Sequence, residues 1–172
     1  MPILYVSHSV SEVARLADRV VVLAEGRVEA SGSASQMLGG ASDATGREAG
    51  SVLSGHVTSI DTVAGLAAIG FAGAELVVPS GTLAVGQALR VHIPAREVLL
   101  ATAEPQGISA LNVLPARILS ITPAGTGAAD ILLTCGREQI QARITALSVA
   151  RLQLAPGRVV HAIIKTVALD VR

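Results

Sequence analysis

The stretch "LAVGQALRVHIPAREVLL", residues 83–100, decides how the chain folds, because "LAPGRVVHAIIKTVAL", residues 154–169, repeats its plan. Both open on Leu-Ala-x-Gly and run into an alternating pattern such as Arg90-Val91-His92-Ile93, the period of a half-buried strand. A second matching pair lies upstream of each. "GHVTSID" from Gly55 and "ARILSIT" from Ala116 share a small residue, a long polar residue, a β-branched residue, two further residues and then Ile. Two copies of about sixty residues follow, each a series of short strands cut by Gly- or Pro-containing turns, the pattern of a small barrel or sandwich. The copies span residues 51–103 and 108–172. Between them "AEPQGIS", Ala103 to Ser109, has no regular pattern and reads as a surface connection.

Upstream of the repeat the pattern changes. Residues 1–38 read strand, helix, strand, turn, strand: Ile3–Val6, Ser9–Ala17, Val20–Leu23 and Arg27–Ala30, with Glu25-Gly26 as the hairpin turn. "SGSASQMLGGASDATGREAG", residues 31–50, is crowded with Gly, Ser and Ala. Its Ser35–Leu38 portion can form one helical turn, and residues 39–50 are a flexible linker by composition. Everything after the linker is expected to be β.

Composition removes several classes of function. Thirteen basic and thirteen acidic residues cancel, so the chain lacks the positive field that a nucleic-acid backbone requires. Tyr5 and Phe71 are the only aromatics, too few for a base-stacking platform. The longest apolar runs, Val20–Ala24 and Leu66–Ala74, fall far short of the roughly twenty residues of a membrane span. No basic segment precedes a long apolar stretch at the amino terminus, so no secretory signal is read. A single cysteine, Cys135, cannot form an internal disulfide and is expected to be a small buried hydrophobe. His56, His92 and His161 lack metal-ligand spacing and read as strand-surface residues. Neither a nucleophile elbow nor a Cys-His pair is present.

Against that background "YVSHSVSEVARLADRVVVLAEGRVEASGSASQML" resembles the end of an ABC-transporter ATPase domain. The resemblance rests on the strand ending in Ser7-His8, the helix with Glu12 and Ala14, the Ala17-Asp18-Arg19 step, the hairpin and the Ala-Ser-Gly exit. It implies that His8 matches the switch histidine, which approaches the γ-phosphate of ATP. An imidazole suits that place, since it can hydrogen-bond phosphoryl oxygens. The phosphate-cradling G-x-x-x-x-G-K-[ST], the Leu-Ser-Gly-Gly signature and an apolar strand ending in Asp-Glu are all absent from the sequence. The expectation is a chain that does not hydrolyse ATP and corresponds to the carboxy-terminal part of a longer subunit, with ATP and Mg only in that parent.

"ISALNVLPARILSITPAG", residues 108–125, and "ARITALSVARLQLAPGRVVHAIIKTVAL", residues 142–169, resemble the molybdenum-binding Mop repeat, one form of the transport-associated OB (TOBE) module. Taken with the ABC ending, this identifies the chain as similar to the ATP-binding subunits of molybdate ABC importers. The fold implied is mostly β with a small α/β remnant, the β part a tandem OB-like barrel module. The partners implied are a second copy and a membrane permease, with no nucleic acid. The place implied is cytoplasmic, peripheral at the inner face of the membrane.

Molybdate is a tetrahedral dianion of four acceptor oxygens, so its site needs N–H and O–H donors and modest positive charge. Ser109, Ala110 and Asn112 offer a hydroxyl, a small residue that lets backbone approach, and an amide; Lys165 and Thr166 offer an ammonium and a hydroxyl. The resemblance implies that these two segments bind the oxyanion, commonly where subunits meet. Leu111 stands where many relatives carry Arg, which shifts the burden to Lys165 and the backbone. Simpler roles stay open: Ser109 as a turn or cap residue, Asn112 closing a bend, Lys165 as a solvated strand lysine, and Arg96-Glu97, its nearest counterpart in the first copy, as a surface ion pair. Three readings remain: a regulatory oxyanion-binding and dimerisation module, a structural dimerisation module without ligand, or an ATPase fragment that supplies His8 to a partner.

Overall fold

A computed structural model describes residues 3–7, 13, 16–33, 50–71 and 73–171. His8, most of the expected Ser9–Ala17 helix and the linker up to residue 49 lie outside the described residues. Strands β1 (Arg19–Ala24) and β2 (Arg27–Ser33) pair as an antiparallel hairpin. Its turn is the one read from the sequence. Glu25 and Gly26 both take positive φ, 49° and 75°, which lets a two-residue turn follow the twist of its strands. Ile3–Val6, expected as a strand, is irregular and exposed. An apolar run becomes a strand only beside a ladder partner, and none of the described strands pairs with it.

The two sequence copies fold on one plan. The first gives β3 (Gly50–Asp61), β4 (Leu66–Phe71), β5 (Ala74–Pro79), β6 (Ala88–Pro94), a 3-10 turn (Ala95–Glu97) and β7 (Val98–Ala101). The second gives β8 (Asn112–Pro123), β9 (Ala128–Cys135), β10 (Glu138–Thr145), helix α1 (Ala146–Arg151), β11 (Val159–Ile164), a 3-10 turn (Thr166–Ala168) and β12 (Asp170–Val171). The repeat holds even at its irregularities. The ladders of β3 and β8 each slip by one residue, between Val57 and Ser59 and between Ile118 and Ser120. At each slip the Leu-Ala-x-Gly turn closes on the bulged strand: Val57 N–H donates to the Gln87 carbonyl and the Val57 carbonyl accepts from Gly86 N–H, while Ile118 does the same with Arg158 and Gly157.

The copies do not fold side by side. One sheet has the order β12-β6-β3-β4-β5 and the other β10-β9-β8-β11-β7, so the last strand of each copy hydrogen-bonds into the sheet of the other. A single apolar core runs through both lobes, from Leu53, Val57, Ile69 and Leu76 to Ile118, Ile131, Leu133 and Ile140. The mostly β class read from the sequence therefore holds, as two curled five-stranded sheets. It misses α1, capped by Thr145, whose hydroxyl accepts from Ser148 N–H at 3.0 Å. That helix lies between β10 and β11, where the second copy carries an element that the first lacks.

Gly50, read as the end of the linker, opens β3 instead. A Cβ there would lie 2.7 Å from His92 Nε2 and 2.8 Å from the Ile93 carbonyl, so glycine is needed for the strands to close. His92, expected at the surface, is buried beside it, whereas His56 is exposed as expected. Arg90 on the outer face of β6 donates to the Ala17 carbonyl and to Asp18, both at 3.3 Å, and so ties the amino-terminal unit to the first lobe.

Cys135 is buried as expected, and burial pushes its thiol up to about 11. The folded protein thus favours the neutral thiol, a preference that lasts below the ordinary thiol value and is lost as pH rises through about 11. Labelling with a thiol reagent at pH 8 is expected to be slow in the native protein and fast in denaturant; fast native labelling would show that the end of β9 opens readily.

Candidate functional site

The second lobe's candidate residues lie at the start of β8 and just after β11. Asn112 pairs with Ile164, the last residue of β11, and Lys165 and Thr166 follow directly into the 3-10 turn. Two separated motifs of the sequence thus meet at one corner. The Asn112 amide is buried and reaches across to the first lobe. Its Oδ1 accepts from Val77 N–H at 2.7 Å, and its Nδ2 donates to the Val77 carbonyl at 2.9 Å and to Thr166 Oγ1 at 3.3 Å. The side chain therefore serves as one more rung on the outer edge of β5, and it bonds the other lobe's backbone rather than its own.

This arrangement sets the remaining donors of the corner. Thr166 Oγ1 accepts from Asn112, which leaves the hydroxyl hydrogen to donate elsewhere. Lys165 and Ser109 are exposed, and Ala110 is half-buried between Ser109 and Leu111. Exposed apolar side chains stand in the same segments: Ile108, Leu111 at 56 % exposure and Val167 at 82 %. A cation and hydroxyls beside an apolar rim can bind a small oxyanion and can also be covered by a partner.

Three partners were not legible in the motifs of the sequence. Val77 belongs to no motif of the sequence, and only the tertiary fold brings β5 beside Asn112. Ser51 and Gln141 form the matching contact of the first lobe, Gln141 N–H donating to Ser51 Oγ at 2.8 Å. Extending the "GHVTSID" and "ARILSIT" match back by four residues pairs Ser51 with Asn112, a signal the sequence did contain. A further polar group lies on the second sheet. Arg143 grips Asp130 with two bonds, 2.7 and 2.9 Å, which hold its guanidinium above the ordinary value. Arg143 and Arg96 line a groove of about 260 Å³ with Leu99, Leu100, Thr145 and Ser148. Arg96 lies 3.6 Å from Glu97, the surface pair expected from the sequence.

Among the described residues no group of three His, Cys, Asp or Glu could hold a metal ion, and no helix is long and apolar enough to cross a membrane. Asn112→Ala, which strands both backbone groups of Val77, is expected to destabilise by about 1–3 kcal/mol in thermal or urea unfolding. Asn112→Asp keeps an acceptor for Val77 N–H but sets a carboxylate against the Val77 carbonyl. Its deficit should exceed that of alanine at pH 7 and shrink below about pH 4, where a carboxyl becomes neutral. Equal deficits at both pH values would contradict the two-point clasp.

Comparison with known proteins places this geometry. Residues 108–171 match the TOBE domain model. The Molybdenum import ATP-binding protein ModC of Rhizobium etli is 49 % identical over 171 residues, 99 % of this chain and 48 % of that protein. The ModC of Paramagnetospirillum magneticum is 42 % identical over 172 residues, 98 % of this chain and 47 % of its own length. Among solved structures, the cytoplasmic molybdate-binding protein ModG, crystallised with molybdate bound, superposes with a TM-score of 0.60 at 27 % identity. The match covers 70 % of this chain and 93 % of that one. The chain spans about half the length of the curated relatives it matches. Residues 108–171 thus match the TOBE domain, and the chain over nearly its whole length is similar to about half the length of the molybdenum import ATP-binding proteins.

Proposed function

We propose that this chain is the regulatory oxyanion-binding and dimerisation module of a molybdate importer's ATP-binding subunit. The observation that carries the reading is the corner at which Lys165 and the Thr166 hydroxyl stand beside Asn112, which follows the Ser109-Ala110 segment in the chain, inside a domain whose structural relative was crystallised with molybdate. Lys165 supplies the charge and Thr166 and Ser109 supply hydroxyl donors. Ala110 lets backbone N–H groups approach, and Asn112 acts chiefly by fixing Thr166 Oγ1. Leu111 removes the guanidinium that many relatives offer, so Lys165 bears most of the electrostatic attraction.

In this reading residues 1–38 are the end of an ATPase domain, with His8 as its switch histidine; residues 39–50 are the linker, and residues 51–103 and 108–172 the two lobes. ATP and Mg are handled by the parent, which sits at the inner face of the membrane on its permease. Ile108, Leu111 and Val167 are the rim on which a second copy docks. The anion then favours one arrangement of the two subunits and shifts the population of transport-competent states. The full engagement of the Asn112 amide within the chain favours a second reading, a structural dimerisation module without ligand.

Calorimetric titration separates the two. Saturable heat with molybdate, none with sulfate, and a Lys165→Ala variant weakened about ten- to a hundredfold are expected of the oxyanion module. No heat with either anion, from a chain that still dimerises by light scattering, would establish the structural reading instead.

A further inference from the structure

The internal repeat gives Asn112, Lys165 and Thr166 counterparts in the first lobe, and the strand registers fix which they are. Asn112 pairs with Ile164 and Ser51 with Ile93, each two residues ahead of the first residue of a 3-10 turn. Asn112 therefore corresponds to Ser51, Lys165 to Pro94 and Thr166 to Ala95. The backbone agrees closely: Pro94 has φ −62° and ψ 132°, Lys165 φ −69° and ψ 130°. The cross-lobe contacts agree as well. Asn112 grips Val77 on β5, and Ser51 grips Gln141 at the same place on β10. The first-lobe counterpart of Lys165 is thus Pro94 and not the Arg96-Glu97 pair suggested by the sequence.

Equivalent geometry carries different chemistry. At the first-lobe corner proline replaces the ammonium and also removes a backbone N–H, and alanine replaces the hydroxyl. The Ser51 hydroxyl oxygen is engaged by the Gln141 N–H at 2.8 Å. In sequence, Glu48 stands two residues ahead of Gly50, where the second copy has Ser109 two residues ahead of Leu111. Arg96, two residues after Pro94 in sequence, lies 3.6 Å from the Glu97 carboxylate.

Resting on the oxyanion reading above, we propose that the tandem is functionally one-sided. The Lys165 corner binds the anion, and the Ser51–Gln141 corner is a lock that keeps only the structural half of the same design. Pro94 and Ala95 are the positions that separate the two, and each chain contributes a single anion-binding corner rather than two.

The test is the stoichiometry of molybdate binding to the full chain by calorimetry, with the Lys165→Ala variant and a Pro94→Lys/Ala95→Thr variant run in parallel. The wild type is expected to take up no more than about one molybdate per chain, and Lys165→Ala to lose that uptake by about ten- to a hundredfold in affinity. The double variant, with wild-type circular dichroism, should gain a second site. Two sites of comparable affinity in the wild type would overturn this inference while sparing the oxyanion reading, and a single site that Lys165→Ala leaves unchanged would overturn this inference together with the placement of the anion at Lys165. A folded double variant with no second site would overturn the assignment of Pro94 and Ala95. Absence of any heat in the wild type overturns the oxyanion reading and this inference together.

Discussion

The reciprocal placement of β7 and β12 is the constraint on which the rest depends. Each is the last strand of its copy, and each completes the sheet of the other copy. A five-stranded curled sheet that lacks one strand leaves an open edge and an uncovered core, so neither lobe is closed without its neighbour. The exchange also fixes the path of the chain beyond β6 and β11. The chain must turn out of one sheet and into the next within a few residues, and the two 3-10 turns make that crossing. Thr166 and Lys165 sit at the second crossing, which is why the candidate corner lies at the seam between lobes and not on the open face of either.

The seam is held by polar groups where apolar packing ends. Asn112 satisfies both backbone groups of Val77, and Ser51 accepts the Gln141 N–H, so the outer edges of β5 and β10 are each closed by a side chain from the facing lobe. Unpaired backbone groups at a half-buried edge are costly, and a short polar side chain relieves the cost without adding a strand. The same requirement explains why an amide stands at the candidate corner. Fixing Val77 comes first, and placing the Thr166 hydroxyl follows from it.

The copies diverge at that seam among other places. The bulges, the Leu-Ala-x-Gly turns and the core positions coincide, whereas Asn112 against Ser51, Lys165 against Pro94 and Thr166 against Ala95 do not. Packing constrains the coincident positions, because both lobes share one core and a change of volume there is felt at once. Lys165 is exposed, and Asn112 and Ser51 are hydrogen-bonded across the seam, so chemistry can change at these positions without disturbing the shared core, whereas Thr166 and Ala95 are buried. The outer faces differ as well: Arg90 holds the amino-terminal unit against the first lobe, and its counterpart in the second is His161.

The sequence by itself determined the repeat, the strand-rich class, the Glu25-Gly26 turn, the burial of Cys135 and the residue types of the candidate corner. Alternation, glycine-bearing turns and apolar composition are local, and they survive whatever lies next to them. Ile3–Val6 marks the limit of that logic, since an apolar run without a described ladder partner makes no strand. Only the tertiary structure decided that the copies exchange their last strands, that Asn112 spends its amide on Val77, that His92 is buried and that Lys165 answers to Pro94. Each of these depends on which strand lies beside which. That choice is set by burial of a shared core and by closure of backbone hydrogen bonds over long sequence separations, and no window of neighbouring residues contains it.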